Sequence, residues 1–251
     1  MLFDYISDLH IPFYANGKKE INQFIDGLIE REPTEILILA GDISEKNEDI
    51  IWTLEAFSKY YEKIFFVFGN HDLYMTTRKE VEKYEGDSNL KIQAVKDYFN
   101  GHDVVTILDN EMVYYEGLSI AGSRNWYSLK RPEDEAFWRN NMADSKYIYP
   151  KTMEASEEMH RVDMEFLTSL PKDLDILITH VPPVYISKSG YEPNGCFYNY
   201  DRNLPEPKVW FAGHQHSQIV TFIGDTWLCM SPYGYPGEVT NPGISLLSMS
   251  L

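Results

Sequence analysis

The sequence predicts an α/β fold in which a largely parallel sheet is covered by helices. Three observations lead to this prediction. Short apolar runs alternate with amphipathic segments over residues 1–70, polar residues cluster where those runs end, and further short strands follow towards the C-terminus. Because a parallel sheet is covered on both faces, its strands are apolar throughout rather than alternating, as these runs are.

The first strands and helices can be placed by their apolar residues. The runs LFDYIS (2–7), EILILA (35–40) and KIFFVF (63–68) predict three buried strands. Between them, the apolar residues of 21–29 and 50–57 fall on single helical faces. We therefore expect a β-α-β-α-β unit, and such sheets bind ligands beyond the carboxyl ends of their strands.

The middle of the chain is less regular. MVYY (112–115) and LSIAG (118–122) predict a hairpin around Glu116-Gly117. Residues 123–150 are rich in Arg, Trp and Tyr and have no clean period. A further amphipathic helix is expected over 159–170.

Five more strands are predicted in the C-terminal part. They are DILITH (175–180), KVWFAGH (208–214), IVTFIG (219–224), TWLCMS (226–231) and ISLLSM (244–249). The last three are short, which indicates a second sheet built mostly of hairpins. We expect the loop 181–205 to lie over the functional site, and residues 1–251 to form one domain.

Composition and charge limit the classes of function. Lys and Arg total 22, Asp and Glu total 39, and the net charge is −17. A chain this acidic is not expected to offer an extended surface to nucleic acid. The two cysteines, Cys196 and Cys229, suit a reducing compartment, and neither a signal-peptide pattern nor a membrane-spanning apolar run is found. These features predict a cytoplasmic protein without membrane partners.

Most of the histidines follow predicted strands. Of the seven, five do so, namely His10, His71, His180, His214 and His216, and Asp8, Asp42 and Asn70 take equivalent positions. An extended backbone points every second side chain to the same side, so Asp8 with His10 presents two ligands together. Nitrogen and oxygen ligands without a thiolate select divalent ions such as Mn²⁺, Fe²⁺, Co²⁺, Ni²⁺ or Zn²⁺. The pattern predicts a metal site at the strand ends.

In chain order these residues form five motifs, which are Asp8-Leu9-His10, Gly41-Asp42, Gly69-Asn70-His71-Asp72, His180 and Gly213-His214-Gln215-His216. This ordered set resembles the calcineurin-like metallophosphoesterase family over residues 8–216. The resemblance implies a four-layer α/β/β/α sandwich of two mixed sheets flanked by helices. It also implies two metal ions, one held by Asp8, His10 and His216 and the other by Asn70, His180 and His214. Asp42 would bridge both ions, and His71 would face the substrate.

The implied centre is cationic even in an acidic protein. Two divalent ions, the carboxylates of Asp8 and Asp42 and a bridging hydroxide sum to about +1. Manganese is the preferred ion, with iron, zinc, nickel or cobalt as alternatives. In the expected reaction the hydroxide attacks the phosphorus of a phosphomonoester or phosphodiester, and His71 assists the leaving group. Asp72 either orients His71 or caps the following segment.

Several side chains outside the motifs are candidates for substrate contacts. Arg124 and Arg202 would bind a substrate phosphate, unless they pair with surface carboxylates. Five aromatic residues would stack on a base or an aromatic leaving group, unless they pack the core or the loops. They are Trp126, Tyr127, Tyr191, Tyr198 and Tyr200.

Three other functions fit the sequence less well than a phosphoesterase that acts on a small nucleotide or phosphorylated metabolite. A phosphoprotein phosphatase would carry G-D-x-V-D-R-G, whereas this chain reads Gly41-Asp42-Ile43-Ser44-Glu45-Lys46. A DNA or RNA nuclease of the same superfamily would share the ligands, but the net charge argues against it. A non-catalytic protein-binding scaffold would keep the fold and lose ligands, whereas this sequence retains them all. The small phosphorylated substrate therefore fits best.

Overall fold

Two mixed β-sheets form the centre of the fold in a computed structural model that describes residues 1–186 and 194–249. The strands are β1 (Leu2–Ile6), β2 (Ile36–Leu39), β3 (Lys63–Phe66), β4 (Val105–Ile107), β5 (Glu111–Tyr115), β6 (Leu118–Ser123), β7 (Ile176–Thr179), β8 (Val209–Ala212), β9 (Ile219–Ile223), β10 (Thr226–Met230) and β11 (Ser245–Ser248). The helices are α1 (Lys18–Leu28), α2 (Asn47–Phe57), α3 (Arg78–Lys83), α4 (Ser88–Tyr98), α5 (Pro132–Asn141), α6 (Asp144–Tyr147) and α7 (Met153–Ser169). None of the helices in these ranges is both long and apolar enough to span a bilayer.

The first sheet has one antiparallel edge, and the second has a parallel centre between two antiparallel edges. The first sheet has the order β11-β1-β2-β3-β4, and only the β1–β11 pair is antiparallel. The second has the order β5-β6-β7-β8-β10-β9, in which only the β5–β6 and β9–β10 pairs are antiparallel. The carboxyl ends of the parallel strands therefore lie along one edge of each sheet.

The two sheets pack face to face between helices. Residues of both sheets form a shared apolar core, in which Phe211 of β8 packs against Phe3 and Tyr5 of β1 with ring centroids 6.2 and 5.1 Å apart. The other face of the first sheet packs against α1, α2 and α4, and the other face of the second packs against α7. This arrangement is the four-layer α/β/β/α sandwich that the sequence led us to expect.

The predicted β-α-β-α-β unit, the hairpin at 112–122 and the helix over 159–170 are confirmed. The expectation that the second sheet consists mostly of hairpins is wrong, because β10 returns to run parallel to β8, with Trp227 opposite Val209. The run ISLLSM is also misplaced, since β11 leaves the second sheet and pairs with β1 of the first. Apolar runs of this length show that a strand forms but not which sheet edge it joins.

Glycines allow the loops after β2 and β3 to approach closely. Gly41 has a φ of +86°, which side-chain-bearing residues rarely adopt, and a Cβ there would lie 2.5 Å from Nδ1 of His180. A Cβ on Gly69 would collide with the carboxylate of Asp42. Without these two glycines, the residues that follow β2 and β3 would be pushed apart.

Candidate metal centre

The predicted ligands follow five parallel strands that end at the same edge of the sandwich. Asp8 follows β1, Asp42 follows β2 and Asn70 follows β3, whereas His180 and His214 follow β7 and β8. Backbone hydrogen bonds join these loops across the edge, including Asp8 N to the Gly41 carbonyl at 2.9 Å and Gly213 N to the His180 carbonyl at 2.9 Å. The fold thus brings together residues that are up to about two hundred positions apart.

One group consists of Asp8, His10 and His216. Nε2 of His216 lies 3.3 Å from Oδ1 of Asp8 and 3.0 Å from Nε2 of His10. The other carboxylate oxygen of Asp8 accepts a 2.5 Å hydrogen bond from the Ser7 hydroxyl, which holds the carboxylate in place. One atom from each of these three residues lies within 4.8 Å of the others, which is close enough to share an ion.

A second group consists of Asn70, His180 and His214. Oδ1 of Asn70 lies 3.0 Å from Nε2 of His180 and 3.0 Å from Nδ1 of His214. Asp42 lies between the two groups, with Oδ2 3.4 Å from Nε2 of His180 and 3.9 Å from Nε2 of His10. All seven predicted ligands are therefore brought together, with Asp42 in the position expected of a bridge.

Hydrogen bonds on the far side of the second group determine which ring nitrogens face its centre. Nδ1 of His180 lies 2.8 Å from the Ala40 carbonyl, and Nε2 of His214 lies 2.9 Å from the Cys196 carbonyl. A carbonyl oxygen only accepts, so these two nitrogens carry protons. In a neutral ring the other nitrogen then has a lone pair. In His180 and in His214 this lone pair points at the amide oxygen of Asn70.

Several lone pairs of nitrogen and oxygen atoms converge in this group, and this convergence tests whether the residues suit a metal ion. Lone pairs that face one another repel unless a positive charge lies between them. Burial opposes a positive charge on His180, yet the carboxylates of Asp42 and Asp8 raise its pKa to about 9, so the surroundings of this ring favour a positive charge. Imidazole, carboxylate and amide oxygen are suitable ligands for divalent transition metals, and the donor set fits them.

Unusual backbone conformation is frequent among the predicted ligands, which make up five of the ten described non-glycine residues with positive φ angles. Five of the seven predicted ligands have positive φ angles in the left-handed region, namely Asp8 (53°), His10 (44°), Asp42 (58°), His214 (69°) and His216 (47°). This conformation costs roughly 1–2 kcal/mol for each residue with a side chain. Strain of this kind persists where the surrounding structure imposes it, and it is concentrated at functional sites.

His71 lies beside the two groups and is held by Glu45. Nδ1 of His71 lies 2.8 Å from Oε1 of Glu45, and its backbone N–H donates to Oδ1 of Asp42 at 2.8 Å. Burial opposes protonation, but Asp42 and Glu45 together raise the pKa of His71. Nε2 is left facing the pocket. His71 is thus placed to give a proton to a bound molecule.

The carboxylate of Asp72 neither orients His71 nor caps the segment that follows. Oδ1 accepts from the backbone N–H groups of Ile43 and Ser44, at 2.9 and 3.1 Å. Oδ2 accepts from those of Asp42 and Gly69, at 2.9 and 2.7 Å. Asp72 therefore ties the loop after β2 to the loop after β3, and the orienting carboxylate is that of Glu45.

Asp144 of α6 holds the amide of Asn70. Its Oδ1 accepts from Nδ2 of Asn70 at 2.9 Å, and both of its oxygens also accept from tyrosine hydroxyls, those of Tyr74 and Tyr127. Since Asp144 only accepts, the amide nitrogen of Asn70 must face it and the amide oxygen must face His180 and His214.

A loop after β10 supplies two more side chains. Oε2 of Glu238 lies 2.6 Å from Nδ1 of His216, so the other ring nitrogen of His216 faces Asp8 and His10. The hydroxyl of Tyr235 lies 3.3 Å from Nε2 of His71. Sequence reasoning missed Glu45, Asp144, Tyr235 and Glu238, because none belongs to a motif and only the fold brings them to the site.

A pocket of about 380 Å³ opens over these residues. Its lining includes polar side chains, among them His71, Asp42 and His214. The apolar and aromatic part of the lining is formed by Tyr74, Met142, Ala143, Tyr185, Ile186 and Phe197. Part of the loop 181–205 therefore does lie over the site, while residues 187–193 of that loop fall outside the described ranges.

The two predicted phosphate-binding arginines do not line this pocket. Arg124 is buried, and its guanidinium lies 3.6 Å from Asp163 and 3.7 Å from Asp109. Arg202 is exposed in a separate surface depression beside Tyr200. The assignment of either residue to substrate binding is not supported. Carboxylates form ion pairs with Arg124, and Arg202 lies in a different surface depression from the pocket.

The aromatic candidates have packing roles where they are described. Trp126 and Tyr127 are buried and stack on each other with ring centroids 4.8 Å apart. Tyr198 and Tyr200 lie outside the pocket lining and contact each other at 5.8 Å. Tyr191 falls outside the described residues. The pocket instead takes its aromatic surface from Tyr74, Tyr185, Phe197 and Tyr235.

Comparison with known proteins gives relatives of the whole chain and of part of it. An uncharacterized protein of Acanthamoeba polyphaga mimivirus is 22% identical over 265 residues, which cover 94% of this chain and 92% of that protein. The acyl-carrier-protein phosphodiesterase PptH of Mycobacterium tuberculosis is 32% identical over 77 residues, or 31% of this chain and 22% of that protein. The crystal structure of the phosphopantetheinyl hydrolase PptH from the same organism superimposes with a TM-score of 0.71 at 18% identity, covering 98% of this chain and 95% of that one.

The family comparison extends over most of the sequence. The model of the calcineurin-like phosphoesterases matches residues 1–218, which include every predicted ligand. A match of this extent shows that the chain belongs to the calcineurin-like phosphoesterase family.

Proposed function

We propose that this phosphoric ester hydrolase binds two divalent metal ions and hydrolyses a phosphodiester or phosphomonoester bond of a small substrate. The observation that carries the proposal is the pair of three-residue groups on either side of Asp42, with the imidazole of His71 beside them. Asp8, His10 and His216 would hold one ion, and Asn70, His180 and His214 the other, with Asp42 shared. Manganese is the preferred ion, and iron, zinc, nickel or cobalt suit the same donors.

A bound pair of divalent ions supplies a water-derived nucleophile near neutral pH and neutralises charge on the phosphoryl oxygens. The protein supplies orientation and a proton. The contact with Glu45 fixes the ring of His71 and leaves Nε2 towards the pocket. Proton donation from a positioned side chain typically contributes about 10²–10⁴-fold in rate, so His71 is the residue we assign to the leaving group.

The shape and chemistry of the pocket favour a diester. A diester carries one negative charge and two organic groups, and the wall formed by Met142, Ile186 and Phe197 offers an apolar surface to one of them. Among the described lining residues, no Lys or Arg is present to bind the extra charge of a monoester or a polyphosphate. The name of one relative, the acyl-carrier-protein phosphodiesterase PptH, agrees with this choice of bond.

The proposal is tested with bis(p-nitrophenyl) phosphate and p-nitrophenyl phosphate as substrates for Mn²⁺-loaded protein of measured metal content. We expect two ions per chain, hydrolysis of both esters and a kcat/KM for the diester about tenfold higher, a difference of about 1.4 kcal/mol. The Asp42→Ala protein should be inactive and bind less metal. Wild-type protein that takes up no metal and cleaves neither ester would end the proposal, whereas a preference for the monoester would end only the choice of bond.

A further inference from the structure

Tyr235 lines the pocket beside His71. Its hydroxyl lies 3.3 Å from Nε2 of His71, the nitrogen that we assign to proton donation. The segment that carries it follows β10 and lies beyond residues 1–218, the part of the chain that the family model matches. Tyr235 is therefore a feature of this chain that its family motifs do not include.

The ring of Tyr235 is held rigidly. It stacks on the imidazole of His10 with centroids 4.4 Å apart and an interplanar angle of 23°. Edge contacts with Phe13 and His216, each with a centroid distance of 5.0 Å, close the other sides. A ring packed in this way keeps its hydroxyl in one place.

Backbone contacts hold the segment itself. Gly234 N donates to the Asp8 carbonyl at 2.9 Å, and Tyr233 N donates to the Ser7 carbonyl at 2.8 Å. The Tyr14 hydroxyl donates to the Gly234 carbonyl at 2.7 Å. The position of Tyr235 is thus linked to the same loop that carries Asp8.

The 3.3 Å separation is long for a hydrogen bond between a hydroxyl and a ring nitrogen. Two donors at this distance can both lie within hydrogen-bond range of one oxygen atom placed between them. In a phosphoester seated over the metal ligands, the atom that needs donors on this side is the leaving-group oxygen, since negative charge develops on it as its bond to phosphorus breaks.

We propose that Tyr235 is a second catalytic residue, whose hydroxyl donates a hydrogen bond to the leaving-group oxygen while His71 protonates that oxygen. This inference rests on the proposed function. A water molecule provides the oxygen that phosphorus gains and releases one proton to solvent. The electron pair of the broken P–O bond stays on the leaving oxygen, which takes the proton from Nε2 of His71. His71 then regains a proton from solvent, and the proton of Tyr235 stays on tyrosine.

The test compares leaving groups rather than overall activity. Wild type, Tyr235→Phe and Tyr14→Phe are loaded with Mn²⁺, and kcat is measured on aryl methyl phosphates whose leaving groups range from nitrophenol to methoxyphenol. A hydrogen bond to a developing charge contributes about 1.5–3 kcal/mol, or about 10–100-fold. We expect Tyr235→Phe to lose about tenfold with methoxyphenol and about twofold or less with nitrophenol, because a good leaving group needs little help.

Tyr14→Phe is the matched control, since it removes a hydroxyl that anchors the same segment but does not face His71. Its kcat should have the same dependence on the leaving group as that of wild type. A Tyr235→Phe protein whose losses are equal for all leaving groups, or absent, would overturn the role of Tyr235 and leave the proposed function intact. Wild-type protein that hydrolyses none of the esters would overturn both.

Discussion

Asn70 can present either its oxygen or its nitrogen to the site, because the two orientations of an amide have nearly the same shape. Asp144 selects the oxygen by accepting from the nitrogen. The hydroxyls of Tyr74 and Tyr127 in turn hold Asp144. A buried carboxylate outside the predicted ligand set thus determines which atom of Asn70 faces His180 and His214.

We expect Asp144→Asn to weaken the binding of one of two Mn²⁺ ions by about 10–100-fold, the usual effect of losing a partner behind a ligand. The new side chain can offer its own N–H₂ to Asn70, which lets the amide of Asn70 turn over. Calorimetric titration of metal-free protein with Mn²⁺ measures this. Asp163→Asn is the control, since Asp163 is equally buried but contacts Arg124, Asn110 and the backbone of Trp126, none of which is a predicted metal ligand. Two sites of unchanged affinity in Asp144→Asn would refute the role of Asp144.

Glu45 is a second residue whose replacement should have a specific effect, in this case on the rate of the reaction. Glu45→Gln keeps the size of the side chain but removes the charge that holds the ring of His71. We expect kcat on a diester to fall by about tenfold or more, with little change in metal content, since a misoriented acid loses part of its contribution. Glu48→Gln, on the exposed start of α2, should retain the wild-type kcat. Equal values of kcat for Glu45→Gln and wild type would show that Glu45 does not orient His71.

At the scale of single residues, the motifs predicted that the candidate ligands converge, but they did not predict the side chains that contact those ligands. A strand-end histidine can be recognised because its position in the fold follows from the strand. Glu45 and Asp144 cannot, because a carboxylate in a loop or a short helix resembles any surface residue until its neighbours are known. For Arg124 the alternative of pairing with carboxylates holds, but the sequence could not name the partner, since Asp163 lies on α7.

At the scale of elements, the loops after β2 and β3 form one unit through Asp72. Asp72 accepts four backbone N–H groups and is fully buried. In addition, Nζ of the buried Lys91 on α4 donates to the Asp72 carbonyl at 2.6 Å. The loops that carry Asp42 and Asn70 therefore move together or not at all.

We expect Asp72→Asn to lower the free energy of unfolding by about 2 kcal/mol or more. An amide places an N–H₂ group against two of the four N–H donors, and each buried donor left without an acceptor costs about 1–3 kcal/mol. Urea unfolding of metal-free protein gives the value. Asp97→Asn, an exposed carboxylate on α4, should change it by less than about 0.5 kcal/mol. If both variants unfold at the wild-type urea concentration, Asp72 does not stabilise the loops.

The elements that could be foreseen are those with a strong apolar period. The sequence analysis did not predict α3, α4, α5 or α6, because α3 and α6 are short and the apolar residues of α4 and α5 do not form a strong helical period. β4 has three residues, too few to show a strand pattern. Such elements form because they pack against the rest of the protein rather than because of their own sequence.

At the scale of the whole molecule, several contributions that destabilise the folded state are concentrated at the site. Several ligands have strained backbones, and Asp8 and Asp42 place two negative charges in a buried centre. Cations bound at the site would compensate for these contributions only in the folded protein. Stability and metal content should therefore change together.

We expect removal of metal by EDTA to lower the Tm by about 10 °C. An ion present at a thousand times its Kd stabilises the fold by about 4 kcal/mol, and 1 kcal/mol shifts the Tm of a chain of this length by about 2–4 °C. Calorimetry with and without Mn²⁺ measures the shift, and added Mn²⁺ should restore the higher value. The Asp42→Ala protein should respond weakly to both. A Tm of the wild type that is unaffected by either reagent would mean that no ion binds the folded state preferentially.

β1 and β11 pair antiparallel, with Leu2 opposite Ser248. These two neighbouring strands are therefore separated by more than two hundred residues of sequence. A ribosome therefore delivers Asp8 and His10 long before His216, Glu238 and β11 emerge. During synthesis only part of the predicted ligand set is therefore present at first, and contacts this distant in sequence form slowly. Binding of metal would for this reason have to wait until His216 has been made and β11 has paired with β1.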